Sequence, residues 1–159
     1  MRIIVLAAAL LCCASAHAWP SPRQAVDQFL RFDLAGGRLQ SWPFHKYLDV
    51  DAGYDEPGWD MIHVVRNYRI ASIRCRKGVC RAAVVFAYPD IALASERIHP
   101  HAAGGSETVV FTVVKANGNW LLAGSEGAPR ISQAEFERRF PNGSWGLLPF
   151  PAQAAQRTR

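Results

Sequence analysis

The chain has 159 residues, half of them hydrophobic, with 18 Lys and Arg against 13 Asp and Glu and a formal net charge of +5. That length suits a single domain behind a short leader. The charge is too modest and too scattered for nucleic acid, which wants a contiguous basic stripe; Arg157 and Arg159 supply part of it from a polar tail, residues 151–159.

The first residues read as a secretory signal peptide. Arg2 is followed by the apolar run from Ile3 to Cys13 and then by Ala16-His17-Ala18, a small-x-small cleavage site. Eleven apolar residues fall well short of the roughly 20 that span a bilayer, and Arg, Asp or Gly interrupts every later apolar run. Lipidation at Cys12 or Cys13 lacks the small residue wanted directly in front. Residues 1–18 are therefore expected to be removed, leaving 141 residues that begin at Trp19, a net charge of +4 and a periplasmic or secreted product. No integral membrane segment remains after that cut.

In the mature chain Ser21-Pro22-Arg23-Gln24 is a compact helix start: a capping hydroxyl, a proline at the first helical position and a capping-box glutamine. Val26, Phe29, Leu30 and Asp33 follow at helical spacing, and Gly36-Gly37 ends the run. A second short helix, broken at Pro43, is expected over residues 39–48. The following loop holds Asp49, Asp51, Asp55, Glu56 and Asp60, but its spacing does not fit a calcium-binding EF-hand and it lacks the late glutamate. It reads as a solvated acidic loop.

From residue 61 to 88 the pattern changes to period two, dividing at Lys77-Gly78 into a hairpin. With that turn, Cys75 faces Cys80 on one side of the sheet, and an even cysteine pair in an exported chain predicts a disulfide. Extending the register sets Arg74 against Arg81, Ile70 against Val85, Arg69 against Phe86 and Asn67 against Tyr88. The basic residues Arg66, Arg69, Arg74, Arg76, Lys77 and Arg81 divide between the two hairpin faces. Residues 91–98 predict an edge strand or crossover before the loop His99-Pro100-His101. Residues 108–115 and 120–123 predict a second hairpin around Asn117-Gly118, the strongest short turn signal. Its register sets Lys115 against Trp120 and Val113 against Leu122. Finally Ser132-Gln133-Ala134-Glu135 is a capping box, with Ile131 and Phe136 placed to staple the helix entry.

The early helix and the stretch ETVVFTVVKANGNWLLAG, residues 107–124, resemble the NTF2-like (SnoaL-like) superfamily over about residues 21–125. That resemblance implies an α+β cone in which a curved antiparallel sheet wraps N-terminal helices and leaves a pocket between them. It does not imply one chemistry, because the same cone serves isomerases, dehydratases, cyclases, dimerising modules and protein-binding modules. The isomerase and dehydratase branches use a buried Asp or a His–Asp pair with Tyr donors. Residues 109–123 contain no Asp, Glu, His or Tyr, which weakens the enzyme reading.

The polar residues closest to such a cavity are His63, Asp60, Tyr68 and Arg69, with His63 and Asp60 as a weak acid–base pair. Arg69, Phe86, Tyr88 and Trp120 are the expected ligand contacts, and a buried arginine there implies an anionic or amphipathic ligand. His99 and His101 with Glu96 make a poor metal site in a glycine-rich loop, so no metal and no cofactor are expected. The leading expectation is an exported, non-catalytic binding protein whose partner is a small molecule, a protein or a second copy. The alternatives are an immunity- or inhibitor-type protein and a small isomerase or dehydratase using His63 and Asp60.

Overall fold

The structure is a computed structural model that describes residues 19–40, 46–49, 59, 61–89 and 104–141. The expected leader, most of the acidic loop including Asp60, residues 91–98, the loop of His99 and His101, and the tail lie outside the described residues.

The first helix, α1 (Pro22–Leu34), starts as its sequence dictates. Ser21 is extended, and its hydroxyl accepts from the Gln24 amide at 3.3 Å while donating to Gln24 Oε1 at 3.0 Å. Ala25, Val26, Phe29, Leu30 and Leu34 form its buried side, and Asp33 lies among them. A 3-10 turn, Gly37–Gln40, follows. Gly37 permits it, because a Cβ there would lie 2.2 Å from the Phe32 ring.

Four strands form one antiparallel sheet in chain order: β2 (Asn67–Arg76), β3 (Val79–Ala87), β4 (Ser106–Ala116) and β5 (Asn119–Leu122). Two short strands, β1 (His63–Val65) and β6 (Arg130–Ser132), pair in parallel as a separate sheet. The last helix, α2 (Gln133–Arg139), is capped by the Ser132 hydroxyl on the Glu135 amide at 3.2 Å. Ile131 and Phe136 are buried in one cluster with Ile62 and Val64, as the staple requires. The architecture is α+β.

Both β-hairpins turn through two residues with positive φ, Lys77-Gly78 and Asn117-Gly118, which matches the twist of the flanking strands. The second hairpin keeps the expected register, Lys115 opposite Trp120 and Val113 opposite Leu122. The first keeps it only near the turn, where Arg76 meets Val79, Cys75 meets Cys80 and Arg74 meets Arg81. A β-bulge between Ile70 and Ser72 then shifts the register by one, so Ile70 faces Val84, Arg69 faces Val85, Tyr68 faces Phe86 and Asn67 faces Ala87.

The expected pairing of Arg69 with Phe86 is thereby overturned. The physical reason is the period of two: one extra residue moves every later side chain to the opposite face. The bulge keeps Ile73, Ile70 and Tyr68 on the helix side and turns Arg69 to solvent. Two further expectations change. The strand expected from residue 61 breaks at Arg66, so His63 belongs to the small sheet. Leu48 is not helical but bridges Leu122 in parallel, with the Asp49 amide on the Leu122 carbonyl at 2.8 Å; residues 41–45 lie outside the described set.

Helix α1 packs across the inner face of the four-stranded sheet and against β6. Phe29, Phe86 and Phe111 are fully buried and meet edge-on, with centroids 6.0 Å (Phe29–Phe111) and 6.4 Å (Phe86–Phe111) apart. Each such side chain contributes about 1.5–3 kcal/mol relative to exposure. Trp19 closes one end: it stacks on Tyr47 at 5.5 Å, and its carbonyl accepts from the Trp120 amide at 3.1 Å.

Candidate functional site

The inner face of the sheet holds a buried charged cluster. Asp33 leaves the C-terminal end of α1 fully buried, beneath β6, which bridges Ala35 through Ile131. Its Oδ1 accepts from the Arg130 amide at 3.1 Å, and its Oδ2 lies 3.5 Å from Arg38 Nη1 and 3.8 Å from Arg130 Nη1. Arg38 Nη2 donates to Ser125 Oγ at 2.9 Å and to the Gly127 carbonyl at 2.7 Å, while Arg130 Nη2 donates to the Glu126 carbonyl at 2.8 Å. The turn at Glu126-Gly127, both with positive φ, aims those carbonyls at the arginines.

Arg130 lies over two rings, 4.6 Å from the Phe86 centroid and 5.7 Å from that of Phe111. These faces attract a guanidinium, and Arg130 Nε and Nη1 have no hydrogen-bond acceptor among the described residues. Burial pushes the Asp33 carboxyl up against the downward pull of Arg38 and Arg130, and burial pulls Arg130 down. Beside the cluster the Tyr88 hydroxyl donates to Glu107 Oε2 at 2.6 Å, and burial with that bond raises the phenol. The cluster ties α1, the turn after β5 and β6 together, with two guanidiniums sharing the one Asp33 carboxylate.

The expected site residues are not gathered in one place. Phe86 and Tyr88 are buried on the inner face, whereas Arg69 is exposed on the outer one. Trp120 sits on β5 opposite Lys115, packed against the core near Trp19. Tyr68 donates to Asp27 Oδ1 at 2.7 Å, and Asp27 Oδ2 also accepts from Arg31 at 2.8 Å. Burial and the bond to Asp27 push the Tyr68 phenol up to about 12, so it serves as a fixed donor. His63 is half-buried in β1 opposite Arg130, its amide on the Pro129 carbonyl at 2.9 Å. Cys75 and Cys80 form the expected disulfide, with Cα atoms 4.0 Å apart. No group of metal-binding side chains occurs among the described residues.

The outer face of the sheet differs in kind. Its outward side chains include Arg69, Arg74, Arg76 and Arg81, all exposed, beside Val79, Ala83, Val85 and Val110. No Asp or Glu occupies an outward position of these strands, since Glu107 pairs with Phe86 and points inward. None of the four arginines forms an ion pair among the described residues. Near the hairpin tip this face holds a groove of about 580 Å³, floored by Val79, Ala83 and Val110 and rimmed by Arg74, Arg76 and Arg81. Val79 is 44% exposed. Arg74 and Arg81 face each other directly across the strands, an arrangement that repels unless an anion sits between them.

Sequence reasoning missed the buried cluster, although one signal was present: Asp33 follows Val26, Phe29 and Leu30 on the apolar side of α1. No family model, no curated protein and no solved structure matches the chain. Among the described residues no helix is long and apolar enough to cross a membrane.

Proposed function

We propose that this chain is an exported, non-catalytic binding protein that meets its partner on the outer face of the four-stranded sheet. The observation that carries this reading is the exposed, apolar-floored groove rimmed by arginines, with no carboxylate among the described residues that line it. The inner face offers less, because Asp33, Arg38, Ser125 and Arg130 are buried and contact one another, and the Arg130 guanidinium is covered by the Phe86 ring. The disulfide supports an oxidising compartment outside the cytoplasm. The NTF2-like cone belongs to the same proposal, supported by α1 lying across one face of an antiparallel sheet; an experimental structure in which α1 left that face would remove it.

A photo-crosslinking residue at Val110, compared with one at exposed Ala134 on α2, tests the binding face in cells that export the protein. Adducts should form from Val110 and not from Ala134, on material whose N-terminal sequence begins at Trp19. Equal labelling from both positions, or none from Val110, overturns the reading.

A further inference from the structure

Resting on that outer-face reading, we infer that the groove takes a discrete anionic amphiphile, one apolar chain carrying a phosphate-type head, rather than a protein, a membrane surface or a second copy.

The head is assigned by the arginines. Arg74 and Arg81 are directly opposed on the outer face, Arg76 stands one outward position nearer the turn, and no carboxylate among the described residues shares the face. Two exposed guanidiniums held together by strand pairing have no counter-charge among the described residues, and a dianionic phosphate oxygen set is the group their planar forks match. The chain is assigned by the floor. Val79, with Val114 opposite it, lies on one side of the arginine pair, and Ala83 opposite Val110 lies on the other. Apolar side chains of β3 and β4 thus flank the cations on both sides along the strands, which suits an alkyl chain and wastes a bare inorganic anion.

The size argues for a discrete molecule. A groove of about 580 Å³ falls within the roughly 300–1,000 Å³ of small-ligand sites. A second copy fits poorly on this face by itself, because two-fold pairing of the face would bring its arginines against one another.

The test uses the mature chain, residues 19–159, titrated calorimetrically with dodecyl phosphate below its micelle concentration. The comparison probes are dodecyl maltoside, inorganic phosphate and phosphatidylglycerol vesicles. Dodecyl phosphate should bind one per chain, shift the amides of Val79, Ala83 and Val110, and bind about tenfold or more weakly to the variant R74Q/R81Q. The same variant, relieved of its like-charge pair, should melt no lower than the parent in the absence of ligand, so weak binding cannot be ascribed to misfolding.

Dodecyl maltoside binding as tightly as the phosphate, or R74Q/R81Q binding unchanged, removes the assigned head. Inorganic phosphate binding as tightly as the amphiphile removes the assigned chain. Vesicle binding without dodecyl phosphate binding identifies a membrane surface instead, and concentration-dependent self-association without dodecyl phosphate binding identifies a second copy; either overturns the inference. If the amphiphile fails while Val110 still yields protein adducts in cells, the outer-face reading survives with a protein occupant. If Val110 yields no adducts either, both fall.

Discussion

The two faces of the four-stranded sheet handle arginine in opposite ways. Inside, Arg38 and Arg130 share Asp33 and are supplied with the carbonyls of Gly127 and Glu126 and the hydroxyl of Ser125. Outside, Arg69, Arg74, Arg76 and Arg81 stand in solvent with no carboxylate on their face among the described residues. The inner arrangement follows from burial, since an unanswered charge in a core would unfold it. The outer arrangement follows from nothing in folding: solvent screens exposed cations cheaply, but placing two of them in direct cross-strand opposition adds a small, avoidable repulsion. Charges that stability neither requires nor favours are where function is most readily sought. The inner cluster explains why the fold holds, and the outer set marks where the molecule meets something else.

The sharpest way to break that contrast is at Asp33. D33N preserves shape and an acceptor for the Arg130 amide but leaves two buried guanidiniums facing each other. Breaking a buried pair in this way costs about 3–5 kcal/mol, read as a lower urea midpoint with an unchanged slope. Ligand binding on the outer face should survive in whatever fraction stays folded. A loss below about 1 kcal/mol would mean that water reaches the cluster, and would move the candidate site to the inner face.

The disulfide clamps the hairpin tip that carries the outer arginine pair: Cys75 and Cys80 are directly opposed on the inner side, Cys80 buried and Cys75 exposed on the edge strand. Closing so short a loop limits the entropy it removes from the unfolded chain, so C75A/C80A should lower stability by about 2 kcal/mol and leave the fold intact. Calorimetric melting measures it. In the R74Q/R81Q background the same cysteine replacement should be less damaging, because the clamp then holds no repelling strands together. Equal losses in both backgrounds would show that the arginine opposition is fully screened.

The elements were largely legible and the site was not. Capping residues at Ser21 and Ser132, positive-φ pairs at Lys77-Gly78 and Asn117-Gly118, and period-two strands are local signals, and local chemistry decides them. The disulfide followed from the same hairpin register that the turn sets. The bulge at Ala71 was not legible, because Ile70, Ala71, Ser72 and Ile73 fit either face until α1 is in place, and that single residue moved Arg69 from a presumed pocket to the outer surface. The Asp33 cluster depends on contacts 97 positions apart in the chain, so sequence could flag a carboxylate on an apolar helix side but not its partners. The parallel pairing of His63–Val65 with Arg130–Ser132 was invisible for the same reason.

A third set of charges, on α2, calibrates the contrast, because these are paired at the surface, with Arg138 exposed and Glu135 and Arg139 half-buried. Glu135 accepts from Arg138 at 2.5 and 2.7 Å and from Arg139 Nε at 2.6 Å, and Arg139 Nη2 reaches back to the Ala35 carbonyl at 2.9 Å. Those two arginines hold the Glu135 carboxyl down at about 2, below its ordinary 4.5. A folded-state value below the unfolded one means that the pairing stabilises the protein above pH 4.5 and that this contribution is lost as the pH falls through about 2. The Arg138 side chain is 67% exposed, whereas those of Glu135 and Arg139 are 19% and 21% exposed; solvent thus weakens the first pair more than the second, and E135Q should cost about 1 kcal/mol at neutral pH. Urea titrations of parent and E135Q should therefore separate slightly at pH 7, converge between pH 4.5 and 2, and draw together in high salt. A difference that persisted at the acid end would have to come from the helix cap and staple, not from charge. A difference as large as that of D33N would mean that exposed pairs here matter as much as buried ones, and the distinction between the two faces of the sheet would lose its force.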